Sequence, residues 1–435
     1  MREMKDSWIE WIGEIPVDWE TRKIKQLADS NAENSFVDGD WIESPYIVDC
    51  GIRYLTTGNI GDGVFKEQGN GYITLKTFQE LACKYAFPGD LIISRLNAPY
   101  GRSCILPSNY TEYVVAVDNV ILRTQEDKRY ICYVSQCDGY KHTVEDDAKG
   151  TTMKRISRTN LGNIVMPLPP IQQQRRIADY LDRKCSQIDT IIARQQEVIE
   201  KLKAYKLSVI TEAVTKGLNS DVPMKGSGVE WVGEIPEHWD FRKIKNCCLI
   251  VDCKNRTPDP DPDGEYIVVR TTCIRDGSFS YEGSYHTNAE NFKEWTAKGQ
   301  PQHGDIFFTR EAPMGEACLV PDADNLCMGQ RVMFFRPLDG SDPRYILYSI
   351  YGPLAREYID SKNKGSTVGH LKLGQVASLP LFYCPPREQN EIANYLDKRC
   401  GAIDKVVEKK AEIISRLTDY KKSLIYEVVT GKKQV

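Results

Sequence analysis

The residues best placed to do chemistry in this chain are cations with no acid beside them. Residues 148–176 hold Lys149, Lys154, Arg155, Arg158, Arg175 and Arg176 and no Asp or Glu. Residues 361–386 hold Lys362, Lys364, His370 and Lys372, again with no acid. Each stretch contains a small polar turn, Gly150-Thr151-Thr152 or Gly365-Ser366-Thr367. Such turns let a backbone approach phosphate, Lys and Arg neutralise its charge, and Arg can also clamp guanine in a major groove. A solvated basic loop is the competing reading. Arg95 and Arg310 form a second set: each ends a strand-like run and precedes an Ala-Pro turn. That loop could present Asn97 and Tyr100, or Glu311, to bases; an arginine bridging to a nearby Asp is the alternative. The nucleic-acid candidates are thus Arg95, Asn97, Tyr100, Lys149, Thr151, Thr152, Lys154, Arg155 and Arg158 in the first half. In the second half they are Arg310, Lys362, Lys364, Ser366, Thr367, His370 and Lys372.

Other chemistry leaves little trace. There is no GxxxxGK[ST] phosphate loop, no GxGxxG and no GxSxG elbow. Nor is there an Asn/Asp-Pro-Pro-aromatic word of the kind amino-methyltransferases use, so no catalytic residue is assigned. The fourteen cysteines include no CxxC and the five histidines no HxxxH, which argues against zinc. Free thiols, no apolar signal core and no run near ~20 apolar residues suggest a cytoplasmic protein. A net charge of −4 argues mildly against a nucleic-acid coat but not against a local basic patch.

The elements that must position these residues come from a duplication. Residues 7–25, SWIEWIGEIPVDWETRKIK, and 227–245, SGVEWVGEIPEHWDFRKIK, agree at 12 of 19 positions. Further on, Ile177, Ala178, Tyr180, Leu181, Asp182, Cys185, Ile188 and Asp189 match Ile392, Ala393, Tyr395, Leu396, Asp397, Cys400, Ile403 and Asp404. Between these anchors the halves diverge. A period near 215 is too long for a solenoid and marks a duplicated domain-plus-helix unit.

After Pro169-Pro170 and Pro385-Pro386 the chain reads as helix. Apolar residues step by three and four: Ile188, Ile191, Val198, Leu202 and Tyr205 in the first copy, and Ile403, Val406, Ile413, Leu417 and Tyr420 in the second. This heptad seam carries one polar slot per copy, Gln195 and Lys410. Each helix would be roughly 60 Å long. Two such helices can bury their seams on each other, an antiparallel pair serving as a spacer; packing on their own domains or on a partner is the alternative. The middles, such as DLIISR at 90–95 and DIFFTR at 305–310, are strand-rich, with turns at Asp62-Gly63 and Asp276-Gly277. The expected fold class is α+β: two strand-rich mixed α/β domains separated by two long helices in an antiparallel coiled coil, related by an internal pseudo-two-fold. The expected boundaries are 1–170 for the first domain, 171–217 for the first helix, 218–226 for a linker, 227–386 for the second domain and 387–435 for the second helix.

WxGEIPxxW opening each unit, a G[ST]T turn after each variable middle, and PPxxxQ with IAxYLD opening each helix together resemble the specificity subunits of type I restriction–modification enzymes. The resemblance covers nearly the whole chain, twice. It implies a non-catalytic subunit with two target-recognition domains, each reading half of a split DNA site. It implies helices that act as ruler and docking surface for methyltransferase subunits, with ATP-hydrolysing restriction subunits joining them. S-adenosylmethionine, ATP and magnesium would then belong to the partners, not to this chain. One departure is Gln172-Gln173-Gln174 at the first helix start, where the family commonly has Glu-Gln. Symmetry adds that an identical partner can dock once per repeat, so two methyltransferase subunits are expected. Two readers on one groove would sit about one DNA turn, ~34 Å, apart. Because the middles differ, the site should be asymmetric. The rival readings are a fused enzyme and a scaffold that binds protein or glycan.

Overall fold

The computed structural model describes residues 2–150, 153–230, 232–338, 340–363 and 369–435. They form two compact units, Met1–Gln195 with Glu412–Val435, and Gln196–Ala411.

The first unit centres on a four-stranded antiparallel sheet in the order Phe36–Asp38, Asn119–Leu122, Leu91–Ser94, Ser103–Ile105. A three-stranded sheet lies in the order Tyr72–Ile73, Ile52–Leu55, Tyr113–Val115, the last two parallel. Side chains alternate across the central strands. Leu91, Ile93, Val120 and Leu122 pack with Tyr130 and Val134 of the helix Lys128–Ser135. Ile92 and Ile121 pack on the opposite face with Leu55 and Val115. Burial on both faces explains why these strands read as unbroken apolar runs.

The second unit repeats the plan. Its four-stranded sheet runs Cys248–Val251, Val332–Pro337, Ile306–Thr309, Ala317–Leu319. Its three-stranded sheet runs Tyr285–Thr287, Tyr266–Val269, Leu326–Met328. The helix Pro343–Tyr351 covers one face of the larger sheet. Each unit ties its ends together with a strand pair, Glu20–Lys23 with Val165–Leu168 and Asp240–Lys243 with Pro380–Tyr383.

Two long helices, Ile171–Lys216 and Pro386–Val429, contribute a segment to each unit. Within the first unit Asp189 pairs with Lys421 at 2.7 Å, while Trp19 lies against both Gln173 and Gly431, so the helices run antiparallel. Within the second, Asp404 pairs with Lys206 at 2.7 Å and Glu388 lies beside Gly217, again antiparallel. The heptad reading needs correction in its burial. Ile188 and Ile403 are buried and Leu202 and Leu417 half-buried, but Ile191, Val198, Tyr205, Val406, Ile413 and Tyr420 are exposed. A two-helix contact buries a narrow strip and leaves the flanking positions of the stripe at the surface. The second helix also stops at Val429 rather than running to 435: Gly431 takes φ +75°, as Gly217 takes +72° after the first helix. Both glycines make the left-handed turn that ends a helix.

All fourteen cysteines are free thiols, thirteen of them buried. Among the described residues no helix is long and apolar enough to cross a membrane, and no group of three or more His, Cys, Asp or Glu side chains could hold a metal.

Candidate nucleic-acid interface

In each unit an arginine at the end of a central strand ties three chain segments together. The backbone N–H of Arg95 donates to Asp118 O at 2.8 Å, and Ile156 N–H donates to Arg95 O at 3.1 Å. The Arg95 guanidinium donates to Ile156 O (3.0 Å) and Val117 O (2.7 Å) and lies 3.1 Å from Asp38. Burial, opposed by Asp38 and Asp118, holds the Arg95 pKa below its ordinary value. In the second unit the two backbone bonds, the bond to the pre-helix carbonyl and the aspartate neighbour recur. Arg310 N–H donates to Arg331 O and Leu371 N–H to Arg310 O, both at 3.0 Å. The Arg310 guanidinium donates to Leu371 O at 3.0 Å and to Asp252 at 2.9 Å. These arginines therefore hold the pre-helix segment against the sheet. They are framework groups, which is the alternative the sequence left open, and burial keeps Arg95 from reaching a groove. Tyr100 is also withdrawn, since its ring belongs to the first core.

Each pre-helix stretch also carries exposed cations. In the first unit Lys149, Lys154, Arg155 and Arg158 are exposed, and so is Asn97, at φ +64°. Arg155 pairs with Asp118 at 2.9 Å and Arg158 approaches Asp38 at 3.6 Å. In the second unit Lys362, His370 and Lys372 are exposed. His370 Nδ1 meets Glu311 at 2.9 Å and its Nε2 meets Arg310 at 3.2 Å. Burial first, then Arg310 and Arg331, lowers the His370 pKa, so the neutral ring donates from Nδ1 and accepts at Nε2. Arg331, which pairs with Glu311, was not singled out in the sequence; nor were Asp38, Asp118 and Asp252. Only the partners reveal them, because no spacing ties Arg331 to Arg310. Thr151, Thr152, Lys364, Ser366 and Thr367 lie outside the described residues.

A second repeated feature lies beside the long helices. Arg129 donates to Asp179 and Asp182, each at 2.8 Å, and Tyr133 OH donates to Asp182 at 2.7 Å. Arg344 donates to Asn394 (2.9 Å) and Asp397 (2.7 Å), and Tyr348 OH to Asp397 at 2.9 Å. The Arg344 pKa is raised, first by Asp342 and then by Asp397. Each network borders an open groove, of about 600 Å³ in the first unit and about 750 Å³ in the second. The linings correspond: Asp62, Gly63, Cys185, Asp189 and Lys421 in one, Asp276, Gly277, Cys400, Asp404 and Lys206 in the other. The repeated words RYICY at 129–133 and RYILY at 344–348 carried this signal in the sequence.

The chain matches the family "Type I restriction modification DNA specificity domain" over residues 16–201 and 236–415, more than half its length, and belongs to that family. It is a type I restriction–modification specificity subunit. It is 24% identical, over 98% of its length and 96% of the relative's, to a protein designated the type I restriction enzyme MjaX specificity subunit in Methanocaldococcus jannaschii. It is 20% identical to the EcoBI specificity subunit of Escherichia coli over 80% of this chain and 74% of that one. A solved structure, described as the structural basis underlying complex assembly and conformational transition of the type I R-M system, shares the fold. Its TM-score is 0.70 at 14% identity, covering 96% of this chain and 99% of that chain.

Proposed function

We infer that each unit reads one half of a split, asymmetric double-stranded DNA site, and that the groove beside each pair of long-helix segments receives one methyltransferase subunit. The observation that carries this reading is the contrast between the two repeats. The Arg129–Tyr133–Asp182 frame recurs as Arg344–Tyr348–Asp397, while the exposed groups around Arg95 and Arg310 differ. A surface repeated twice suits one partner bound twice. A surface that differs suits two different half-sites. Exposed apolar groups along the helices, Ile191 and Tyr420 in the first unit and Val406 and Tyr205 in the second, offer additional contact area. The chain itself is non-catalytic; S-adenosylmethionine, ATP and magnesium serve the methyltransferase and restriction partners. Co-expression with the methyltransferase subunit of the neighbouring gene, followed by genome-wide mapping of methylated adenines, tests the reading. One split motif, of which one half changes when residues 20–168 are exchanged, is the expected result. DNA binding should also weaken steeply with salt, as counterion release requires. No motif and no DNA-dependent complex would overturn it in favour of a protein-binding scaffold.

A further inference from the structure

Matched by their hydrogen bonds, the two frames hold positions that the duplication kept in place but filled differently. Arg95 corresponds to Arg310, Asp38 to Asp252, and Ile156 to Leu371. On the same bonds Asp118 corresponds to Arg331, since each accepts from the framework arginine's N–H. Isolated bridges pair Leu96 with Arg155 and Glu311 with His370, so these also correspond. The inner ion pair is therefore constant, Arg95–Asp38 or Arg310–Asp252. The outer pair is rebuilt: an acid on the turn before the strand and an arginine on the pre-helix segment in the first unit (Asp118, Arg155), an arginine on that turn and an acid on the loop in the second (Arg331, Glu311).

Stability does not account for the outer pair. Arg155 and Arg331 keep 45% and 38% of their side chains exposed, and exposed ion pairs contribute little. Arg331 also sits at φ +72°, a conformation unfavourable for a residue with a side chain. Strain retained at an exposed cation is a mark of use rather than of folding. A guanidinium held by a carboxylate on one side, with donors left over, is prepared for bidentate contact with guanine O6 and N7.

Building on the half-site reading above, we propose that Arg155 and Arg331 are the guanine-reading side chains of the two units, positioned by Asp118 and Glu311. Their different origins within one shared frame then make the two half-sites unlike.

The test uses the full chain with its methyltransferase partner and maps the methylated motif for Arg155→Ala and Arg331→Ala. Each variant should relax one G·C pair, in opposite halves of the motif, with roughly tenfold or greater loss of discrimination there. Unchanged requirements in both halves, or relaxation of the same half by both variants, would overturn the assignment. Should an alanine variant fail to fold, Arg331→Lys and Arg155→Lys carry the test. Lysine keeps the charge but lacks the planar fork, so the guanine requirement should still relax, and its full retention overturns the proposal. A parent complex whose motif is not split would remove the half-site reading itself, a result distinct from an unchanged motif in the variants.

Discussion

The indole N–H of Trp239 donates to a carboxylate oxygen of Glu388 at 3.1 Å, and in the other repeat the indole of Trp19 donates to the amide oxygen of Gln173 at 2.9 Å. The departure from Glu-Gln at the first helix start is thereby explained: either side chain supplies the acceptor. The next residue is the stricter one. Gln174 and Gln389 are fully buried and each accepts from the backbone N–H of a helix-capping aspartate, Asp127 or Asp342. Glu388→Gln should leave stability nearly unchanged, whereas Glu388→Ala, which strands the indole N–H and releases His238, should cost about 1–2 kcal/mol. Urea unfolding of the two variants compares them directly.

The same tryptophans explain the glycines that end the long helices. A Cβ on Gly431 would lie 2.4 Å from Pro16 Cδ and 3.2 Å from the Trp19 ring. One on Gly217 would meet nothing closer than 3.2 Å. Both positions carry the left-handed backbone penalty, about 1–2 kcal/mol for alanine, and Gly431→Ala adds a steric clash with a rigid proline. Gly431→Ala should therefore lower the thermal unfolding midpoint more than Gly217→Ala. Equal shifts would mean that the Pro16–Trp19 packing yields easily.

Much of this was legible beforehand, and particular residues show why. WxGEIPxxW, IAxYLD and the proline-proline helix starts are local words, and they sit where duplication required, at the ends of the long helices and the strand pairs that close each unit. The turns at Gly63 and Gly277 have φ of +81° each, as the Asp-Gly pairs implied. The segments around Arg95 and Arg310 were harder to read. Arg95 resembles a reader in sequence because a strand-end arginine before a Pro-containing loop looks exposed; only its burial and its bonds to the carbonyls of Val117 and Ile156 reveal that it faces inward. Arg331 had the opposite problem, with no motif around it. The seam failed in degree, since heptad spacing specifies which side chains face a partner but not how closely it approaches.

Asn119 has a side chain without support. It is fully buried, yet neither amide atom has a hydrogen-bond partner within the protein. Its counterpart is Val332, since Asn119 pairs with Ser94 across the sheet as Val332 pairs with Thr309. Leaving a buried amide unpaired costs about 1–3 kcal/mol. Asn119→Val should raise the unfolding free energy by an amount of that order. A loss of stability instead would show that the amide is needed in the first unit.

Acid should act on the second unit through Asp342. Burial would raise its pKa, but hydrogen bonds from the Arg344 side chain and backbone, and from Asn390, outweigh burial and hold it below the ordinary 3.8. A carboxylate depressed on folding adds stability above its unfolded pKa and loses it as pH falls through the folded one. The chain should thus lose urea resistance below about pH 4, and Asp342→Asn should flatten that decline while lowering stability at neutral pH. An unaltered acid limb in the variant would locate the sensitivity elsewhere.

The grooves allow the two partner sites proposed above to be separated. Ala193 lines the first groove and is exposed; Leu207 lines the second and is 49% exposed. Neither belongs to the Arg–Asp–Tyr frame, so a large cation at either should fill its groove without dismantling it. Ala193→Arg and Leu207→Arg should each reduce the complex, weighed by native mass spectrometry, from two methyltransferase subunits per chain to one. The double variant should bind none. DNA affinity of the isolated chain should be unaffected, because the cations around Arg155 and Arg331 lie on other segments. Two methyltransferase subunits retained by the double variant would mean that the exposed apolar stripes, rather than the grooves, carry the contact.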